Sequence, residues 1–205
     1  MFPASLKILK TASAVFMAVL VSYNASAKDF AAKRLLSSFE QPCLVVYFTL
    51  TGDTETIAKE IADQHKCTLK KIESRNRYSF DAQKLERQVK SEYAQIRNKL
   101  YPSIILDRIN TQKFSYFFIG YPVWYDLPAP PVLSFMNEYK GELTDQTVAV
   151  FSTSESAQGE RALETVRRSL PKTYIGGMLH FTQKNIANAG KRVRIWLTNL
   201  SKDSE

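Results

Sequence analysis

The chain has 205 residues and a formal net charge of +8, from 28 basic and 20 acidic side chains. Its Lys and Arg residues are scattered among Asp and Glu, which indicates a solvated basic surface; an acidic protein partner or an anionic membrane surface is the more specific alternative. No Cys/His cluster has metal-ligand spacing and no Ser/His/Asp grouping stands out, so the sequence singles out no metal ligand and no catalytic residue.

Residues 1–27 have the three parts of a secretory signal peptide. Lys7 and Lys10 form a basic start, residues 12–21 are apolar but too short to span a bilayer, and Ala25-Ser26-Ala27 gives a small-x-small cleavage site. We therefore expect cleavage after Ala27 and export to the periplasm, with an uncleaved N-terminal anchor as the alternative. No later segment approaches 18 apolar residues, so we expect no transmembrane segment in the mature chain and, for an exported protein, no nucleic-acid partner.

The mature chain, residues 28–205, would have 178 residues and a net charge of +6. This length suits a single domain with its core over about residues 43–200. Both cysteines of the sequence remain in it: Cys43 opens a predicted strand and Cys67 follows the next predicted helix. Both positions fall at the same edge of a β-α-β unit, and a disulfide between them or two separate buried thiols would each be compatible with this placement.

The most informative stretch of the sequence is a buried strand over residues 44–48, followed by a hydroxyl-rich turn and the start of a helix. Thr49, Thr51 and Thr54 supply hydroxyl groups in this turn, and Gly52 allows the backbone to bend sharply. A helix N-terminus adds unpaired N–H groups and the positive end of the helix dipole, which together favour an anion. The simpler interpretation is a helix N-cap alone.

Strands and helices alternate along the rest of the chain. Continuous apolar strands separated by helices predict an α/β fold with a parallel sheet covered on both faces. In chain order we predict a short helix or arm over residues 28–41, an edge strand over 68–73, a helix over 81–100 and a strand over 114–120. These are followed by a strand over 147–151, a helix around 162–170, a strand over 178–182 and a closing helix around 193–200.

The turn after the strand at residues 114–120 is unusually aromatic. It reads Tyr121-Pro122-Val123-Trp124-Tyr125-Asp126, and loops seldom expose so many bulky apolar groups. The turn could cover the core, or it could form the wall of a site for a flat ring, because ligands of open α/β sheets bind beyond the carboxyl ends of the strands.

Two motifs together resemble the flavodoxin family. The pattern T-x-T-G-x-T at Thr49–Thr54 is similar to the loop that holds the phosphate of FMN, and residues 118–125, with the proline-rich segment 128–132 and Phe135-Met136, look like the second flavin loop and its following helix. This resemblance implies a flavodoxin-like three-layer sandwich, with a five-stranded parallel sheet in the order 2-1-3-4-5 and helices on both faces. It places FMN at the switch point between the first and third strands.

The resemblance also assigns roles to thirteen residues. It implies that the phosphate is enclosed by Thr49, Thr51, Gly52, Asp53 and Thr54, that the isoalloxazine ring is lined by Tyr121, Pro122, Val123, Trp124 and Tyr125, and that the third side comes from Thr153, Ser154 and Gly159. Trp124 is the expected stacking ring. Two positions depart from the family pattern: Asp53 replaces the commoner Asn, and Glu155 stands where a glycine is expected.

The leading interpretation is an exported FMN-binding protein that carries electrons, rather than a turnover enzyme. Its partner would be a redox protein or a quinone, either acidic or associated with a membrane. A flavin-dependent NAD(P)H:quinone or nitro-compound reductase and a binding module that has lost its flavin are the alternatives. His65 and His180 are isolated in the sequence and are expected to be structural.

Overall fold

The computed structural model describes residues 42–155 and 159–202, with side chains through residue 200. The predicted signal peptide and the predicted arm over residues 28–41 lie outside this part. The strands are β1 (Cys43–Tyr47), β2 (Thr68–Lys71), β3 (Glu73–Ser74), β4 (Ile104–Ile105), β5 (Tyr116–Trp124), β6 (Leu127–Pro128), β7 (Thr147–Ser154) and β8 (Tyr174–Thr182). The α-helices are α1 (Asp53–His65), α2 (Ala82–Arg97), α3 (Pro130–Tyr139), α4 (Glu160–Ser169) and α5 (Ala189–Lys202).

Five strands form a parallel sheet in the order β2-β1-β5-β7-β8. Taken as the five principal strands in chain order, this is the predicted 2-1-3-4-5 arrangement, so the predicted fold class is confirmed. In the centre of the sheet Val45 pairs with Phe118, and Phe118 pairs with Ala149. The short strand β6 pairs antiparallel with the end of β5, and β3 pairs with β4 in a separate two-stranded sheet.

Helices cover both faces of the sheet because its central strands are apolar on both sides. In β1, Leu44 and Val46 pack with residues of α2, α3 and α4, whereas Val45 and Tyr47 pack with residues of α1 and α5. Leu44, Val45 and Val46 are all fully buried. A strand buried on both faces shows no polar alternation, which is why its sequence is a continuous apolar run.

The predicted helix over residues 81–100 ends earlier than its apolar spacing suggests. Asp81 is the N-cap, and its side chain accepts a hydrogen bond from the backbone N–H of Lys84 at 2.8 Å. The helix ends at Arg97, and Lys99 has a positive φ of 64°. Leu100 therefore lies outside the helix with 63% of its surface exposed, so its match to the helical period was misleading.

Three strands are longer than predicted, and one of them is β7, which continues past residue 151 to Ser154 because it stays paired with β8. β5 continues from Gly120 to Trp124 because its last residues still have strand partners: Tyr121 pairs with Ser152 on β7, and Trp124 pairs with Leu127 on β6. β8 begins at Tyr174 rather than at residue 178, because it remains paired with the start of β7 across an irregularity between Val148 and Ala149.

Cys43 and Cys67 form a disulfide with a Cα–Cα distance of 4.7 Å. Helix α1 ends at His65, its C-cap Lys66 has a left-handed backbone conformation, and Cys67 follows with its N–H donating to the carbonyl of Ala62. This turn brings Cys67 back to the start of β1, as expected of a β-α-β unit. Within residues 42–155 and 159–202, no helix has both the length and the apolar character needed to cross a bilayer.

Candidate functional site

A cavity of about 370 Å³ opens where β1, β5 and β7 end at their carboxyl edge. Its volume falls within the range typical of sites for small molecules. The strand order reverses between β1 and β5, and ligands of open α/β sheets bind at such a switch point. The lining residues come from the turn after β1, helix α2, the β5–β6 turn, the end of β7 and the segment after β8: Thr51, Asp53, Leu85, Val89, Pro122, Val123, Trp124, Tyr125, Asp126, Thr153, Ser154, Glu155 and Gln183.

The turn after β1 is closed by its own hydroxyl groups. Gly52, the N-cap of α1, has φ 100° and ψ −13°, a conformation that L-residues rarely adopt. Its N–H donates to Thr49 Oγ1 at 2.9 Å, and Thr51 Oγ1 donates to Asp53 Oδ2 at 2.9 Å. Beyond this turn lie the first N–H groups of α1, which have no acceptor within the helix itself. The turn can therefore offer backbone donors and the helix dipole to an anion.

Thr54 joins this turn to the end of β7. Its Oγ1 lies 2.8 Å from Oγ1 of Thr153, and the two side chains are buried. One hydroxyl donates and the other accepts, so neither is an unpaired buried polar group. The bond holds the turn after β1 against the strand that supplies another wall of the cavity.

The aromatic segment is a tight hairpin between β5 and β6. Its two central residues, Tyr125 and Asp126, have φ values of 49° and 64°, the backbone of a two-residue turn in which both φ angles are positive. Tyr93 on α2 supports the hairpin from beneath: its hydroxyl oxygen lies 3.0 Å from the carbonyl oxygen of Trp124 and 3.1 Å from that of Pro128. The hairpin is thus fixed to α2, the helix that forms another part of the cavity wall.

Trp124 is held edge to face by two other rings. Its ring centroid lies 5.8 Å from that of Phe48 and 5.0 Å from that of Tyr78. The Tyr78 hydroxyl donates to the carboxyl of Glu92 on α2, which is almost fully buried. Burial raises the pKa of Glu92 above the ordinary value for glutamate, although hydrogen bonds from Tyr78 and Gln88 work in the opposite direction.

His180 on β8 links the third wall to the sheet. Its Nδ1 lies 2.7 Å from Ser152 Oγ, and its Nε2 lies 3.1 Å from Ser154 Oγ. A side chain at Gly159 would meet the same imidazole, because an added Cβ would lie 3.1 Å from Nδ1 of His180 and 2.5 Å from Cε of Met178. His180 therefore contacts both ends of the loop between β7 and α4. It supports the cavity wall through Ser154.

Eight of the thirteen residues that the sequence assigned to the site line the cavity: Thr51, Asp53, Pro122, Val123, Trp124, Tyr125, Thr153 and Ser154. Thr49 and Gly52 shape the turn, and Gly159 packs against His180. Thr54 and Tyr121 are fully buried and do not reach the wall. The Tyr121 hydroxyl has no hydrogen-bond partner among the described residues.

Five lining residues were not among the thirteen assigned from the sequence: Leu85, Val89, Asp126, Gln183 and Glu155, the last of which stood out only as a departure from the family pattern. Leu85 and Val89 belong to the apolar face of α2, and nothing in their spacing distinguishes residues that line a cavity from residues that pack on a sheet. Asp126 was noted only as the end of the aromatic turn. Gln183 comes from the segment after β8, which carries no motif.

The cavity wall contains three acidic residues, Asp53, Asp126 and Glu155, and none of its lining residues is Lys or Arg. Asp126 has a partner outside the cavity, since its carboxylate lies 3.8 Å from the exposed guanidinium of Arg161. Among the described residues no group of His, Cys, Asp and Glu could hold a metal ion. The site is therefore built from hydroxyl groups, backbone donors, aromatic rings and carboxylates.

A family model described as flavodoxin matches residues 42–199. A flavoprotein from Lactobacillus acidophilus NCFM, solved in complex with FMN, is 22% identical with a TM-score of 0.61, over 72% of this chain and 97% of that one. A flavoprotein from Bacteroides eggerthii is 23% identical with a TM-score of 0.67, over 78% and 98%. One from Bacteroides uniformis is 20% identical with a TM-score of 0.61, over 75% and 98%. At these identities the likeness shows the fold. No curated protein matches the chain.

Proposed function

The chain belongs to the flavodoxin family, and we propose that it binds FMN and transfers electrons outside the cytoplasm. The observation that carries this proposal is the cavity at the switch point of the sheet, with a glycine turn and helix N-terminus on one side and an aromatic wall on another. The Lactobacillus acidophilus flavoprotein of the same fold was solved with FMN, which supports the choice of cofactor.

The residues present fit a flavin mononucleotide. The turn at Gly52 would hold the phosphate through the backbone N–H groups at the start of α1, because no Lys or Arg lines the cavity. The aromatic hairpin and the apolar face of α2 would enclose the ring, with Trp124 as the stacking side chain and Leu85 and Val89 as apolar contacts. Thr153 and Ser154 would close the third side.

The carboxylates of the cavity would determine how strongly the site disfavours negative charge on a bound ligand. When bound, FMN would supply the electron exchange itself. Asp53 stands beside the proposed phosphate position but accepts a hydrogen bond from Thr51, so its charge is directed into the turn. Asp126 and Glu155 would disfavour any added negative charge on a bound ring, because like charges repel most strongly where water is partly excluded.

Export is the second part of the proposal. It depends on the signal-peptide pattern of residues 1–27, and an oxidising compartment suits the Cys43–Cys67 disulfide. In such a compartment the protein would exchange electrons with another redox protein or with a quinone. N-terminal sequencing of the protein recovered from the cell envelope should begin at Lys28; recovery of Met1 would argue for an uncleaved anchor.

An absorption spectrum of the purified mature protein, followed by titration with FMN and riboflavin, tests the cofactor. Flavin absorption bands, or quenching of added FMN fluorescence at one equivalent, would support the proposal. A preparation that stays colourless and quenches neither flavin would favour the binding module that has lost its flavin. Rapid oxidation of NADPH by the FMN-loaded protein would favour the reductase.

A further inference from the structure

The basic charge of the mature chain is concentrated in one segment. Residues 75–113 contain nine Lys and Arg against four Asp and Glu, a net charge of +5, whereas the whole of residues 28–205 carries +6. The scatter of charged residues along the sequence suggested that the excess of positive charge is spread evenly. The charge count shows that it is not. The rest of the mature chain is close to neutral.

Helix α2 presents much of this charge on one face. Lys84, Arg87, Lys90 and Arg97 are exposed, while Val89, Glu92 and Tyr93 are buried. Glu86, the acidic residue nearest to the basic face, forms an ion pair with Lys90. By helical spacing Lys84 and Arg87 lie roughly opposite the buried residues and point away from the protein, whereas Lys90 and Arg97 lie at the edge of the exposed side, next to Tyr93.

The same helix is a wall of the cavity. Leu85 and Val89 line it from within, so only the width of one helix, about 10 Å, separates the cavity from the basic face. The basic face also approaches the edge of the cavity directly. Nζ of Lys90 lies 5.7 Å from the ring centroid of Tyr125, a half-exposed residue that lines the cavity. Phe80, which precedes the helix cap, is 82% exposed.

We infer that the outer face of α2, with Phe80 and Tyr125 at its margin, is the docking surface for an acidic electron-transfer protein. This inference rests on the proposed electron-transfer function and names its partner and surface. Charge complementarity steers such encounters and raises their association rates, and Arg and aromatic side chains are enriched in protein interfaces. A partner seated on α2 would be brought close to the cavity, and electron transfer is fastest over short distances.

The arrangement of α2 favours a protein over an anionic membrane as the partner. A helix that binds a membrane surface inserts an apolar face between the lipids. The apolar face of α2 is packed in the core through Val89 and Tyr93, and Asp81 and Glu86 interrupt the basic residues. Lipid would meet charged side chains, with two exposed rings, Phe80 and Tyr125, only at their margin.

Binding of fluorescently labelled plant-type ferredoxin, an acidic electron-transfer protein, provides the test. The mature protein is compared with a charge-reversed variant of α2, Lys84→Glu/Arg87→Glu. The control variant is Arg167→Glu/Arg168→Glu in the last turn of α4, which changes the net charge equally at two exposed positions. Neither pair lines the cavity, so all three proteins should bind FMN equally.

At low salt the α2 variant should bind ferredoxin at least about tenfold more weakly than the unmodified protein, and the control should differ by less than about twofold; the difference should shrink at about 0.2 M salt. The rate of one-electron transfer from reduced ferredoxin to the FMN-loaded protein should fall in the α2 variant together with the affinity. Equal weakening in both variants, or none in the α2 variant, would overturn the inference. The inference would also be overturned if the α2 substitutions left ferredoxin binding unchanged and weakened only the binding to vesicles of phosphatidylglycerol and phosphatidylcholine.

The binding measurement does not require the flavin. If the unmodified protein took up no FMN, the proposed function would fail, while anisotropy of the labelled ferredoxin would still decide whether α2 is the docking surface. If FMN bound normally and the α2 variant behaved as the control does, the docking surface would fail and the proposed function would remain.

Discussion

The hydroxyl oxygens of Thr54 and Thr153 lie 2.8 Å apart, although the two residues are separated by 99 positions in the chain. Thr54 belongs to the first turn of α1, and Thr153 lies near the carboxyl end of β7. Their hydrogen bond therefore fixes the position of the proposed phosphate turn relative to the wall that carries Ser154. One hydroxyl group of the T-x-T-G-x-T motif, that of Thr54, therefore joins α1 to β7, whereas those of Thr49 and Thr51 form hydrogen bonds within the turn.

Thr54→Ala should weaken FMN binding by up to about 10-fold, because it removes the hydrogen bond to Thr153 that positions the proposed phosphate turn, and a bond between two neutral groups contributes about 0.5–1.5 kcal/mol. Riboflavin, which has no phosphate, should be affected much less. Titrations followed by flavin fluorescence quenching measure both affinities. Thr54→Ser is the matched control, since it keeps the hydroxyl, and it should retain most of the FMN affinity. Equal losses for FMN and riboflavin would contradict the assignment of the phosphate turn.

Trp124→Ala should weaken FMN and riboflavin to a similar extent, because its ring would stack on the part that the two flavins share. The expected loss is about 0.5–1.5 kcal/mol from ring contacts, plus the lost apolar burial. Trp124→Phe keeps a ring against Phe48 and Tyr78 and should recover much of the affinity. Tyr174→Ala, at a half-exposed aromatic residue that begins β8, serves as a control outside the cavity. A selective loss of FMN binding would place Trp124 near the phosphate instead.

The architecture could be read from the sequence because it depends on patterns that are local in the chain. The buried strand at residues 44–48 and the apolar helical spacing around Val89 each correspond to an observed element. The strand order 2-1-3-4-5 was predicted from the resemblance to flavodoxins, and the observed sheet agrees with it. Boundaries were less accurate, since the end of α2 depends on the positive φ of Lys99, which no apolar period reveals.

The parts of the site that escaped prediction depend on contacts between distant segments. His180 meets Ser152 and Ser154 from a neighbouring strand, and an isolated histidine in a sequence gives no sign of this. The bond between Thr54 and Thr153 is equally invisible, because each threonine has a simpler local explanation. Leu85 shows the same limit: its spacing marks an apolar helix face but not the cavity that this face encloses.

Asp53→Asn should strengthen FMN binding and leave riboflavin unchanged, because it removes a negative charge beside the proposed phosphate. About 1 kcal/mol, or roughly fivefold in affinity, is expected for charges separated by about 4 Å in a water-like medium, and the gain should decrease as salt is added. Asp63→Asn, at an exposed position near the other end of the same helix, is the control and should have little effect. A weaker affinity for FMN in Asp53→Asn would indicate that the carboxylate is needed to organise the turn through Thr51.

Replacing both cysteines with alanine should lower the free energy of unfolding by about 3–4 kcal/mol, since the Cys43–Cys67 bond closes a loop of roughly 25 residues in the unfolded chain. Urea denaturation of the oxidised protein and the double variant measures the difference. Thiol titration of the denatured, unreduced protein should detect essentially no free thiol, whereas two thiols per chain would show that the bridge is absent. The same double variant should keep its FMN affinity, because neither cysteine lines the cavity.

Glu92 should make the protein less stable as the pH rises. Burial raises the pKa of its carboxyl in the folded state, so between the ordinary glutamate pKa and this raised value the folded protein keeps a proton that the unfolded chain has released. Its contribution to stability is fully present below the ordinary pKa and is lost as the pH rises through the folded value.

Glu92→Gln removes this titration and leaves an oxygen that can accept from the Tyr78 hydroxyl. The variant should therefore be at least as stable as the unmodified protein near neutral pH, with a flatter dependence of unfolding free energy on pH. Urea denaturation in steps from about pH 4 to pH 8 measures this dependence.

Glu86→Gln on the same helix is a control with the opposite pH dependence. The ion pair with Lys90 lowers the pKa of Glu86, so any contribution of Glu86 to stability is lost as the pH falls. Identical slopes for the unmodified protein and Glu92→Gln would show that the buried carboxyl titrates no differently in the two states.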